Sequence, residues 1–170
     1  MAQPTNTQFA VGVHLLVLLA ARPGEWRDSQ SLAVSPATNA AHARRILGQL
    51  RAAGLVRSQP GPRGGWMLER EAAEIDLAMV WLALNGEDPI LGVHVPQPDC
   101  AAGRRVQQGL LELDRRARRA LLAELARTTV ADVLREGAAA ATPGEAPEPA
   151  GAGPFPEPGC PADDDRLRVG

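Results

Sequence analysis

Few residues in this chain carry the chemistry of an active site. There are two cysteines, Cys100 and Cys160, and three histidines, His14, His42 and His94, all far apart along the chain. They form no metal-ligand quartet. No G-x-S-x-G elbow, phosphate loop or pair of carboxylates in a glycine-rich setting accompanies them. The reading from these absences is that the protein is not an enzyme and holds no metal or cofactor. Two cysteines are too few for a disulfide scaffold and fit a reducing cytoplasm.

The side chains that remain are arginines, and all 18 basic residues are of that type. Their distribution is uneven. Residues 1–70 hold 8 Arg against 3 Asp and Glu, residues 71–136 hold 8 against 11, and residues 137–170 hold 2 against 6. A net charge of −2 therefore hides a basic N-terminal half, which points to a polyanionic partner. The arginine at the most unusual place is Arg63. It stands in "AAGLVRSQPGPRGGWML" (52–68), between two short strand-like pieces, on a tip of prolines and glycines. Such a hairpin either glues a sheet or projects as a finger whose glycines approach phosphates and whose Arg63 meets their charge.

Other elements must position that finger. "FAVGVHLLVLLAA" (9–21) reads as a buried helix stopped by Arg22–Gly24. It is too short to span a bilayer, and no basic residue precedes it as in a signal peptide. Asp28 or Ser29 caps a second helix. Pro36 interrupts, and Thr38 and Asn39 offer caps for a third, "AAHARRILGQLRAAG" (40–54), ending at Gly54. At 100° per residue, Ala43, Ile46, Leu47 and Leu50 fall on one apolar stripe of this helix. Ala41, Arg45, Gly48 and Ala52 fall opposite, with Arg44 and Arg51 on one flank and His42 and Gln49 on the other. Small residues and arginines facing outward suit close approach to DNA. "IDLAMVWLALNG" (75–86) is a further helix starting at Asp76, followed by an extended linker. A long helix spans about Ala101 to Arg127, with Val106, Leu110, Leu113, Ala117, Leu121 and Leu125 as a narrow apolar stripe. That stripe fits a packed seam better than burial on all sides, though a monomer's own core helix is the plainer alternative. A short helix opens at Thr128 or Thr129. From Gly137 on, 7 Pro and 6 Gly in 34 residues read as a disordered acidic tail.

Helix, helix, turn, helix and a glycine-tipped hairpin is the order of a winged helix-turn-helix. The chain resembles the Rrf-two family of bacterial winged helix-turn-helix regulators on specific residues. The wing pattern L-x-x-x-G-L-V-x-S-x-x-G-x-x-G-G-[YFW]-x-L is supplied by Leu50, Gly54, Leu55, Val56, Ser58, Gly61, Gly64, Gly65, Trp66 and Leu68. "FAVGVHLLVLLA", "IDLAMVWLALNG", "PDCAAGRRVQQGLLEL" and "LARTTVADVL" extend the likeness over residues 5–136. The resemblance implies a mainly α fold with a small β-hairpin wing. It implies a winged helix-turn-helix domain (1–86), a linker with dimerisation helices (87–136), and a homodimer that represses from an inverted-repeat operator.

Two departures follow. Well-known relatives hold an iron–sulfur cluster on three linker cysteines, where this linker has only Cys100, with His94 nearby. The chain thus looks like the cluster-free branch, and a site shared by two Cys100 and two His94 in a dimer is the only residue-level escape. Cys100, expected just after an Asp99 cap and near Arg104, is either a redox-responsive thiol or a small packed residue. The serine and glutamate of the recognition helix and the wing arginine that meet bases in cluster-bearing relatives align with Ala41, Arg44 and Pro60. The expected DNA contacts are therefore Arg44 and Arg45 in the major groove, Thr38, Asn39 and His42 near the backbone, and Arg63 on the wing. His42 is equally read as an ordinary surface histidine, and Arg51 and Arg57 as solvated charges. A dimeric protein-interaction module without specific DNA binding is the second reading.

Overall fold

The computed structural model describes residues 7–93, 96–97 and 99–140. Helices α1 (Thr7–Ala20), α2 (Ser29–Val34) and α3 (Ala40–Ala52) come first. Strands β1 (Val56–Gln59) and β2 (Gly65–Leu68) follow, then α4 (Leu77–Asn85), α5 (Ala101–Leu125) and α6 (Val130–Ala140). A single 3-10 turn, Ala72–Glu74, links the hairpin to α4. The expected class, mainly helical with a β-hairpin wing, is the observed one.

The core is built by the stripes that periodicity marked. Leu15 and Leu16 of α1, Ile46, Leu47 and Leu50 of α3, and Val80 of α4 are fully buried together. α1 is apolar on nearly every face because α2, α3, α4, α6 and β2 all pack on it. Phe9 and Trp81 meet edge to face across α1 and α4, with centroids 5.3 Å apart.

Short polar side chains set the helix starts. Asp28 accepts the N–H groups of Gln30 and Ser31, and Asp76 accepts that of Met79. Thr129 Oγ1 accepts the Asp132 N–H while an Asp132 oxygen accepts the Thr129 N–H, a reciprocal cap for α6. Cys100, and not the expected Asp99, is the N-cap of α5, its Sγ accepting the Gly103 N–H at 3.3 Å.

α6 departs from expectation in place and in length. Leu77 N–H donates to Thr128 O and Val130 N–H to Ile75 O, both at 2.9 Å. These bonds tie the start of α6 to the start of α4, and fully buried Val130 joins the winged-domain core. The helix continues to Ala140, because Gly137 is exposed and tolerated there. The rest of the acidic tail, residues 141–170, lies outside the described residues, as does His94.

α5 is different again. Its sole buried residue is Asp114. Val106 and Leu113 of the expected stripe are 54% and 43% exposed, whereas Leu110, Ala117, Leu121 and Leu125 are half-buried. The chain itself covers only part of the apolar side of this helix.

Candidate nucleic-acid interface

The helix-turn-helix begins with the Asp28 cap of α2. Hydrogen bonds from Ser31, chiefly its backbone N–H, hold the Asp28 carboxyl below the usual carboxylate range. The cap is therefore charged at neutral pH, at the helix end that favours an anion. α2 closes with Ala37 N–H donating to Val34 O and Thr38 N–H to Ala33 O. Ala37 sits at φ 50°, a left-handed conformation uncommon for alanine. This turn sends the chain into α3.

Asn39 caps α3, accepting the His42 N–H at 2.8 Å. That leaves the exposed carboxamide NH2 as a donor at the helix start. Thr38 is half-buried in the turn just before it. Arg44 and Arg45 are exposed, whereas Ala43, Ile46, Leu47 and Leu50 have no exposed surface. Arg44 Nε donates to Ala40 O at 3.2 Å. Arg45 Nη2 donates to His42 Nδ1 at 3.0 Å, and His42 is half-buried. Five of the six expected contact residues thus lie at the N-terminal end of one helix. The sixth, Arg63, is exposed on the separate tip between β1 and β2.

The hairpin is held more firmly than its sequence suggests. β1 and β2 pair antiparallel, with Val56 opposite Leu68 and Gln59 opposite Gly65. Arg27 and Trp66 exchange both backbone hydrogen bonds, at 3.0 and 2.8 Å, which adds a short third partner. The glycines at the tip serve this arrangement. A Cβ on Gly65 would lie 2.5 Å from Arg27 O, and one on Gly64 only 2.1 Å from Gln59 O. Both positions make room for the chain's own backbone, whereas nothing lies within 4 Å of a Cβ placed on Gly61.

Arg51 and Arg57 are exposed, as expected, and each also makes contacts of its own. Arg51 Nη1 donates to Ser58 Oγ at 2.9 Å, and its guanidinium lies over Trp66, 6.0 Å from the ring centroid. Arg57 lies over Trp26 at 5.5 Å and faces Glu69 at 3.7 Å. These contacts link β1 to α3 and to the segment before α2. Trp26 and Trp66 in the sequence were the available signal. His14 is also accounted for, with Nε2 2.8 Å from Ser35 Oγ.

Cys100 belongs to another region, at the start of α5, and its thiol is exposed, not packed. Among the described residues, no three His, Cys, Asp or Glu side chains converge as metal ligands. No described helix is long and apolar enough to cross a membrane.

Comparison with known proteins settles the family. The profile of Rrf2, described as an iron-dependent transcriptional regulator, matches residues 5–136. The chain belongs to the Rrf2 family. YwnA of Bacillus subtilis (strain 168), described as an HTH-type transcriptional regulator, is 32% identical to this Rrf2 protein over 130 residues. The match spans 76% of this chain and 96% of YwnA. The structure of CymR (YrzC), the global cysteine regulator of B. subtilis, is 26% identical with a TM-score of 0.57, covering 80% of this chain and 98% of that one. IscR of T. potens has a TM-score of 0.59 over 85% of this chain and 96% of its own; at 23% identity it shows the shared fold. The oxidized form of Staphylococcus aureus CymR is 25% identical, with a TM-score of 0.54, over 78% of this chain and 96% of that one. The protein is thus an Rrf2-family transcriptional regulator with a winged-helix fold. Its donor set does not fit the iron–sulfur cluster of cluster-bearing relatives, because Cys100 is the one cysteine in the linker and cluster irons need several thiolates or imidazoles.

Proposed function

We propose that this Rrf2 regulator represses transcription as a homodimer on an inverted-repeat operator. The observation that carries the reading is α3, with Arg45 exposed across from a wholly buried stripe and Arg44 exposed on its flank. The buried side fixes the helix to the body. The arginine side is then the one free to enter a major groove and reach guanine edges. Asn39 offers its NH2 to a phosphate, and Thr38 and His42 lie beside it. Arg63 on the wing contacts the neighbouring backbone. The partly uncovered apolar side of α5 pairs with that of a second copy, and two-fold symmetry presents two recognition helices to two half-sites.

Salt titration of duplex binding tests the wing. Arg63→Gln weakens binding uniformly across sequences and reduces the log-affinity versus log-salt slope by about 1, the effect of one lost phosphate contact. An unaltered slope removes Arg63 from the interface.

Thiol response is assigned to Cys100, exposed at the start of the long helix. Peroxide changes the operator affinity of the native protein and leaves that of Cys100→Ser constant. A Cys100→Ser protein that still responds contradicts the assignment.

One observation favours a second reading as an interaction module. The base-reading residues of cluster-bearing relatives are replaced here by Ala41, Arg44 and Pro60. A module binds an inverted-repeat duplex no more tightly than random DNA at physiological salt.

A further inference from the structure

The linker between α4 and α5 is fastened at four backbone positions by two side chains. Asp114 Oδ1 accepts the N–H groups of Ile90 and Leu91, each at 2.8 Å. Arg118 Nη2 donates to Gly86 O at 2.8 Å and Nη1 to Glu87 O at 2.9 Å. The two residues are four apart on α5 and so share one helix face. The later one holds the beginning of the linker and the earlier one its middle. The linker therefore runs back along α5, antiparallel to it.

Asp114 is the one buried charged side chain among the described residues. Burying a carboxylate is unfavourable unless hydrogen bonds compensate it, and a leucine on that face would pack with no such demand. A leucine would not define register. Hydrogen bonds to particular N–H and C=O groups do, because they are directional and fail when the backbone slides. Gly86 is also where α4 ends, so the Arg118 bonds fix the edge of the winged domain at one point along α5.

We propose that Asp114 and Arg118 are positioning residues that set the spacing between the two half-sites of the operator. The inference rests on the homodimer reading above. With α5 as the seam, the offset of each winged domain along α5 determines the separation of the two recognition helices. Those helices meet DNA about 34–36 Å apart for half-sites one turn apart. One base pair changes that distance by about 3.4 Å. The far end of α5 stays tied to the winged domain through Leu77 N–H to Thr128 O and Val130 N–H to Ile75 O. Loss of the linker bonds therefore lets α5 pivot about that end, and over the length of a 25-residue helix a small pivot moves the recognition helices on that scale.

The test uses the full chain and duplexes in which the half-site selected by the native protein is repeated with spacers of different length. The native protein enriches one spacing. Asp114→Ala spreads over spacings one or two base pairs away, and its affinity at the native spacing falls about tenfold, within the usual range of coupling between sites. Its affinity for an isolated half-site stays the same. Asp114→Asn keeps a side-chain oxygen that accepts both N–H groups and retains the native spacing. If Asp114→Ala does not fold, as judged by circular dichroism, Arg118→Met is read in the same way. Native spacing and affinity in the folded variant overturn the proposal, and so does an equal loss on the isolated half-site. A native protein that enriches no inverted repeat overturns the operator reading itself, and the spacing proposal with it.

Discussion

Changing Arg44 and Arg45 together to alanine lowers operator affinity about 100-fold, the product of two lost base contacts each worth about 1–3 kcal/mol. Both side chains are exposed, and neither contributes to the buried stripe of α3. Alanine is the better helix former, so the helix remains intact. The loss should therefore appear in fluorescence anisotropy with specific DNA while circular dichroism and the unfolding midpoint stay the same. Arg45 also holds His42 through a 3.0 Å bond. His42→Ala removes that partner together with His42's own proposed contact, so its loss sets an upper bound on what the positioning of Arg45 contributes. Full affinity in the double variant would mean that another surface reads the DNA.

Truncating Leu47 to alanine destabilises the fold by about 3 kcal/mol, the usual range for a buried leucine being about 2–5 kcal/mol. Leu47 has no exposed surface and stands in the cluster shared by α1, α3 and α4. The cavity it leaves is bounded by helices whose positions other contacts fix, so collapse around it is limited. Urea unfolding measures the change as a lower midpoint at constant slope. A shift below about 1 kcal/mol would mean that the recognition helix is not anchored through this side chain, since surface changes usually fall within about 0.5 kcal/mol.

Much of this architecture is legible in the sequence because it rests on local rules. Asp28, Asn39 and Asp76 are caps by residue type, and each accepts the expected backbone N–H. Ala43, Ile46, Leu47 and Leu50 fall on one side by helical period alone. The order of helices and the glycine-tipped hairpin give the winged fold.

What the sequence does not display depends on distant partners. The bonds of Arg27 with Trp66 and of Arg57 with Trp26 bring together segments about 30 or more residues apart. No period or motif announces such pairings. Asp114 and Arg118 look like an ordinary surface ion pair in a helix rich in arginine. Their true partners are linker backbone groups, which carry no side-chain signature. The choice of Cys100 over Asp99 as the α5 cap is a one-residue difference of the kind that helix ends commonly show. Gly64 and Gly65 were legible as turn residues, but the backbone each must clear, Gln59 for Gly64 and Arg27 for Gly65, is set by the fold.

The central claim is that this Rrf2 protein reads DNA sequence as a two-fold dimer. Selection of binding sites from a random duplex library by the purified full chain, at near-physiological salt, tests it most directly. The account predicts enrichment of an inverted repeat, guanine-containing in each half to match Arg44 and Arg45. A folded, dimeric protein that enriches no motif, or only a single unrepeated half-site, would contradict it.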